Sequence, residues 1–403
     1  MQRYHVGIDV GKNQHHLCVR DSQTDQYTKI ISFQVNREGF EKALEFLERM
    51  GDKEEFLVGI EASGPYAATI CNFLMERGYS VVEINPFRAN EFRKAQGKKA
   101  KTDRIDARSL AGFLAIDSYK PLSISDEILE NLRELTRFRA DLLQDRTRQI
   151  NRLQETVAEA FPELNSLLAS LDSPTALTLL ATYPGPQALA HTDITILGAF
   201  LSRISHGCIN QTHAANIINS AKATVGLLQR QQSIALKLRL LAEAILSLNT
   251  QIEQIESAIK DLFGKLHHKP SDFPVGSIQS LASILAEIDD IHKFATLKQF
   301  LSHFGWCPQT FQTGGFRLEH PRMSHAGNPY VRRMIWLLAI LAIKSVQPFK
   351  EYFHRRTANG KKKMHSIVCV GRKILSIIYS VLKTGVPYNP LQEVPSSLAF
   401  ART

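Results

Sequence analysis

The chain has 403 residues, with 49 Lys plus Arg against 39 Asp plus Glu, a formal net charge of +10. An apolar share of 44% and a charged share of 22% exclude a largely disordered or collagen-like polymer, and the length predicts two or three folding units rather than one core. Cys18, Cys71, Cys208, Cys307 and Cys369 form no CxxC pair, which argues against a zinc knuckle or disulfide framework and points to a reducing cytosol.

From the N-terminus, Tyr4 to Val10, His15 to Arg20 and Lys29 to Val35 read as three strands joined by Gly or Asn/Asp/Ser turns. Glu38 to Met50 has helical spacing, Phe56 to Glu61 is a further apolar run, Tyr66 to Arg77 is helical, and Val81 to Ile84 is another strand. Three meandering strands followed by β/α alternation predict a mixed sheet with helices against it, over residues 1–120.

The character changes after Pro121, in a region expected to run over 121–269. Leu132, Leu135, Leu142, Ile150, Leu153 and Val157 recur near helical spacing, interrupted by Arg139 and Arg146, so a long helix with a partly polar seam is expected. Leu238, Leu241, Ile245, Leu248, Ile252, Ile255, Ile259 and Leu262 follow an alternating three-four spacing, the heptad signature of a coiled coil. The seam requires a helical partner, either the first helix folded back or one from another subunit. Tyr183 to Val225, punctuated by Pro184, Gly185 and Pro186, reads as a small helical insert. The third region, 270–403, predicts helices around Ile278 to Ile288, Leu297 to Phe304, Pro329 to Ser345 and Lys363 to Lys383, with a Gly-rich loop from Gly305 to Gly327. Its most apolar stretches, such as Met334 to Ile343, are shorter than the roughly 20 residues of a membrane span.

Chemistry concentrates in four carboxylates. Asp9 ends the first strand in Gly-Ile-Asp-Val-Gly, Glu61 ends a later one in Gly-Ile-Glu-Ala-Ser-Gly, and Asp103 and Asp106 lie three apart in Lys-Thr-Asp-Arg-Ile-Asp-Ala, on one helical face. Four carboxylates brought together repel unless hard cations sit between them, which implies two Mg²⁺ or Mn²⁺ ions and, with them, phosphodiester chemistry. Around the pair, Arg88, Arg93, Lys94, Lys98, Lys99, Lys101, Arg104 and Arg108 are suited to phosphates. From Arg317 to Lys373 thirteen Lys or Arg stand against Glu319 and Glu351, so most of the net charge resides there. Asn328, Arg332, Arg333, Lys361, Lys362 and Lys363 are the expected nucleic-acid contacts in that stretch.

These motifs, in this order, resemble the DEDD-type insertion-sequence transposases, a group of bridge-RNA-guided DNA recombinases related to Piv-type DNA invertases. The resemblance rests on Gly7-Ile-Asp-Val10, Gly59-Ile-Glu-Ala-Ser-Gly64, Asn85-Pro86, Lys101-Thr-Asp-Arg-Ile-Asp-Ala107, Tyr183-Pro184, Leu285-Ala-Glu-Ile288, Gly314-Gly315, Ser324-His-Ala-Gly-Asn328 and Gly360-Lys-Lys-Lys-Met364. It implies a RuvC-like (RNase H-like) N-terminal domain, a coiled-coil linker and a helical C-terminal transposase domain. Asp9, Glu61, Asp103 and Asp106 would bind Mg²⁺ or Mn²⁺. Donor and target DNA would be the substrates, a structured noncoding RNA the guide, a homodimer or homotetramer the working form, and a prokaryotic cytoplasm with the nucleoid the setting.

The family places a nucleophilic serine before a Gly pair, whereas here Thr313 precedes Gly314-Gly315. A secondary hydroxyl attacks only with an accurately placed activator. Ser324 is the fallback nucleophile. Pro274-Val-Gly-Ser277 departs from a Pro-Gly-x-Gly turn, which weakens backbone donation to phosphates there. A metal-dependent nuclease or junction resolvase without a covalent intermediate is the alternative. A sugar-kinase-like ATPase would need a second Asp-Gly phosphate loop and an adenosine motif, neither of which the sequence has.

Overall fold

The computed structural model describes residues 2–61, 65–95, 103–116, 121–122, 126–227, 229–307, 312–313, 316–317 and 327–389. It divides into two compact units, Met1–Ile124 and Ser125–Thr403.

The first unit is built on a five-stranded mixed sheet. Strands β1 (Tyr4–Val10), β2 (Gln14–Asp21) and β3 (Ile31–Gln34) form an antiparallel meander, followed by helix α1 (Arg37–Glu48), β4 (Phe56–Glu61), α2 (Pro65–Glu76), β5 (Ser80–Ile84), α3 (Pro86–Ala95) and α4 (Asp103–Leu114). The spatial order is β3-β2-β1-β4-β5, with β1, β4 and β5 mutually parallel. Parallel neighbours need crossovers, and α2 supplies the one between β4 and β5. β4 is buried along Phe56–Ile60, as a central strand covered on both faces must be.

One face of β1 carries Tyr4, Val6 and Ile8 into a core with Phe56, Val58, Ile60, Ile70 and Leu74. The opposite face carries His5, Gly7 and Asp9. There α4 lies close against the sheet: a Cβ at Gly7 would strike the backbone of Ala107 and Ala111 and come within 2.9 Å of the Leu110 Cβ. Gly59, paired with Gly7 across the parallel ladder, leaves space for Leu114 in the same way. His15 is fully buried with its ring against Phe33 and Phe40, and its Nδ1 accepts from the Gly11 N–H, holding the turn after Asp9.

Among the described residues, the second unit is helical apart from one short antiparallel strand pair. Helix α5 (Glu127–Ala160) leads through α6 (Leu164–Leu167), α7 (Pro174–Thr182), α8 (Pro186–Ala190), α9 (Ile194–Ile204) and α10 (Gln211–Lys222) to α11 (Gln231–Phe263). The heptad-bearing α11 finds its partner within the same chain, for it packs on α5. Arg139 bonds Glu256 and Arg146 bonds Asn249, so a step up one helix matches a step down the other and the pair is antiparallel. The arginines that interrupt the apolar pattern of α5 thus have polar partners across the seam. Leu238, Leu241, Ile245, Ile252 and Ile259 are buried, while Leu248, Ile255 and Leu262 stay half-buried. The helical insert expected over Tyr183 to Val225 comprises α8, α9 and α10, with Pro186 in the first turn of α8, where proline has no N–H to lose.

Beyond the pair follow α12 (Ile278–Ile288), α13 (Leu297–His303), strands β6 (Gln312–Thr313) and β7 (Phe316–Arg317), and helices α14 (Pro329–Ser345), α15 (Gln347–Ala358) and α16 (Lys363–Thr384). Ser277 caps α12 by accepting from the Ser280 N–H, and Trp306 is buried, donating its indole N–H to the Val368 carbonyl. A correction to the sequence reading concerns α16, which is long and apolar enough to cross a membrane, with a mean hydropathy of 1.4 over its best window. Its apolarity is explained by Val370, Ile374, Leu375, Ile377, Ile378 and Val381, all buried in the core with α12, α13 and α14.

Candidate active site and nucleic-acid contacts

The register of β1 against β4 pairs Gly7 with Gly59 and Ile8 with Ile60, so Asp9 and Glu61 follow side by side at the carboxyl ends of adjacent parallel strands. Alternation puts both on the face of the two glycines, which is the face α4 covers. Because Gly7 and Gly59 lack side chains, α4 approaches closely, and Ala107, Leu110, Ala111 and Leu114 seal it down. Asp106, one residue before Ala107, is therefore buried beside the strand ends at 9% exposure. Asp103 begins the helix; its side chain and that of Arg104 lie outside the described residues.

Glu61 and Asp106 line one cavity of about 260 Å³ with Pro86, Ala89, Asn90, Ser109, Leu110 and Phe113. Ser109 was not legible as a site residue, although its position three beyond Asp106 puts it on the same helical stripe. It is 5% exposed, and its hydroxyl has no hydrogen-bond partner among the described residues. Two carboxylates and an orphaned hydroxyl form an all-oxygen donor set, suited to a hard cation such as Mg²⁺ or Mn²⁺. Among the described residues no group of three or more His, Cys, Asp or Glu assembles as a metal cage. The hard-cation reading therefore rests on Glu61, Asp106 and Ser109 with Asp9 alongside.

The remaining expected residues divide. Lys98, Lys99, Lys101 and Ser324 lie outside the described residues. Thr313 lies in β6, opposite Phe316 of β7, with Gly314-Gly315 between them in sequence; its side chain is outside the description. The Asn328 side chain is engaged internally. Its Oδ1 accepts from the Tyr330 and Val331 N–H groups, capping α14, and its Nδ2 donates to Glu287 at 2.6 Å. Arg332 and Arg333 follow in the first turns of α14, the latter exposed. Lys361, Lys362 and Lys363 are exposed where α16 begins.

Comparison with known proteins decides the family. One profile, described as a transposase of the DEDD type, matches residues 6–162, and a second, described as "Transposase IS116/IS110/IS902 family", matches residues 272–354. The chain belongs to the IS116/IS110/IS902 transposase family. Among family relatives, an uncharacterized 44.8 kDa protein of insertion element IS116 from Streptomyces clavuligerus is 25% identical over 97% of this chain and 98% of its own. The pilin gene-inverting protein of Moraxella bovis is 21% identical over 96% of this chain and 98% of its own. A structure of T. thermophilus RuvC in complex with a Holliday junction substrate aligns at 17% identity and a TM-score of 0.23, covering 30% of this chain and 100% of that one.

Proposed function

We propose that this transposase-family protein is a DNA recombinase that cuts and rejoins strands of donor and target DNA, with Asp9, Glu61, Asp103 and Asp106 as a metal-binding tetrad and Thr313 as the attacking hydroxyl. The observation that carries the reading is the placement of Asp9 and Glu61 on adjacent strand ends, under the helix that bears Asp103 and Asp106. Glu61, Asp106 and the Ser109 hydroxyl are the described groups that would hold Mg²⁺ or Mn²⁺ in the cavity. Bound there, such ions would stabilise the charge on the entering and leaving oxygens of phosphoryl transfer. Asp9 and Glu61 are fixed by strand pairing and Asp106 by helix packing, so the donor oxygens are held in place before substrate arrives.

A hydroxyl attack by Thr313 forms an ester between its Oγ1 and a DNA phosphorus, displaces a sugar hydroxyl as leaving group, and requires a base to take the threonine proton. Rejoining is the reverse, a sugar hydroxyl attacking that ester and the proton returning to the leaving threonine. In this reading residues 1–120 are the RuvC-like catalytic domain, 121–269 a coiled-coil arm formed by α5 and α11, and 270–403 the DNA-binding transposase domain. Guidance by a structured noncoding RNA, action as a homodimer or homotetramer, and location at the nucleoid of a prokaryotic cell complete it.

The test is denaturing electrophoresis of the protein with labelled donor and target DNA, Mg²⁺ and the RNA flanking its gene. A protein-linked DNA band is expected for the native chain and for Thr313→Ser, and none for Thr313→Ala or Asp9→Ala. Free nicked DNA of equal strength in the Thr313→Ala protein, without a linked band, would replace this reading with a water-using nuclease.

A further inference from the structure

Helix α15 ends in a left-handed turn that sets up a concentration of positive charge. Gly360 has φ +77°, its N–H donates to the Thr357 carbonyl, and the Lys361 N–H donates to the Arg356 carbonyl. This double closure is the Schellman arrangement, with glycine at the one position where a left-handed backbone carries no Cβ penalty. The chain reverses there, so that α16 starts beside the end of α15. Three cations of the two helices then converge on one ring: Lys373 Nζ lies 3.9 Å from the Tyr352 centroid, the Arg355 guanidinium 5.7 Å and that of Arg356 5.9 Å. Arg356 Nη2 lies 3.2 Å from His365 Nε2, and its Nε is buried without a hydrogen-bond partner among the described residues.

Among the described residues no ion pair offsets these charges: no carboxylate forms one with Arg355, Arg356, Lys361 or Lys373, and Glu351, on α15, accepts a hydrogen bond from Gln347. Lys361, Lys362 and Lys363 stand at the N-terminal end of α16, where the helix dipole favours anions and disfavours cations. The neighbours register the field: burial and then the charges of Arg356 and Lys361 lower the His365 pKa, and burial and then Arg355 lower that of Lys373. A cluster of like charges, one of them with an orphaned N–H, is costly alone and favourable around a polyanion.

We propose that the α15–Gly360–α16 corner, with Arg355, Arg356 and Lys373 arranged around Tyr352 and Lys361 at the turn, is a binding site for the phosphodiester backbone of a nucleic-acid strand. Arginines supply forked donors for phosphate oxygens, and the Tyr352 ring holds the cations in place without neutralising them. The proposal rests on the nucleic-acid reading above and assigns contacts that the Lys361–Lys363 run alone does not reveal.

Fluorescence anisotropy of the full-length protein with a labelled DNA duplex, and separately with a single-stranded RNA, across a salt series tests it. The Arg355→Ala/Arg356→Ala protein should bind about ten-fold more weakly near physiological salt, and its log–log salt slope should fall by about 1.5 to 2, two phosphates' worth of released counterions. Arg37→Ala, which removes a cation from α1, should leave the slope unchanged, and an unaltered thermal melt of the double variant would exclude misfolding. Loss on both probes supports a backbone site shared by DNA and RNA, and loss on one assigns it to that nucleic acid. An unchanged slope on both probes overturns the proposal. The measurement needs no strand cleavage, so a lowered slope in a protein that forms no covalent adduct would uphold the corner while overturning the recombinase reading.

Discussion

Gly7 shows how much of a candidate active site depends on the absence of a side chain. An alanine there would meet the backbone of α4 rather than the flexible end of a side chain, so the helix must shift for the methyl group to fit. Overpacking against backbone costs about 3 kcal/mol, and the shift would carry Asp106 away from Glu61. Gly7→Ala should therefore lower the urea midpoint of the first unit and weaken Mg²⁺-dependent strand chemistry together. A variant that loses neither would show that α4 does not depend on this approach. At this scale the sequence was half legible. Asp9 and Glu61 were marked by strand ends followed by glycine, and Asp106 by its spacing from Asp103. Ser109 carried no such mark, because a hydroxyl in a helix becomes part of a site only once the cavity around it is known.

Among the helices, side chains predicted to face nucleic acid can be committed to the fold instead. Glu287, with its side chain 4% exposed, accepts from Arg137 Nε at 2.6 Å and Nη2 at 2.9 Å and from Asn328 Nδ2 at 2.6 Å. One carboxylate thus ties α5, α12 and the first turn of α14 together. Removing it leaves a half-buried guanidinium edge and a cap amide without their acceptor. Because the Arg137 side chain is 42% exposed, water compensates part of the loss, and Glu287→Ala should cost about 2 kcal/mol. A double-mutant cycle with Asn328→Ala should show coupling of about 1 kcal/mol, whereas strict additivity would mean that the Glu287–Asn328 bond contributes nothing. The long helices were visible from apolar periodicity, and the polar seam of α5 was expected. The antiparallel pairing within one chain was one of two open alternatives, since a heptad pattern specifies a buried seam but not whose helix buries it. Helix α15 was missed for a related reason: Gln347–Ala358 buries mainly Phe349, so it carries no apolar stripe.

For the molecule as a whole, the charge is not spread evenly. The thirteen Lys or Arg between Arg317 and Lys373 belong to the second unit, while the described carboxylates of the proposed tetrad belong to the first. Composition pointed to a polyanionic partner, and the motif order to the chemistry proposed above; neither required the two properties to reside on separate units. That separation makes them experimentally separable. If hard cations offset the repulsion between Asp9, Glu61 and Asp106, as proposed, chelation should abolish strand cutting. Phosphate binding by the lysines and arginines, as proposed, would release counterions from the nucleic acid, a process that needs no divalent ion. Treated with EDTA, the protein should therefore retain a labelled duplex with its salt slope intact while producing neither nicks nor protein-linked DNA, and added Mn²⁺ or Mg²⁺ should restore both products. Cutting that persists in EDTA would remove the metal-binding role from the carboxylates. Retention lost in EDTA would instead mean that the carboxylate site, and not the basic surface, governs DNA binding.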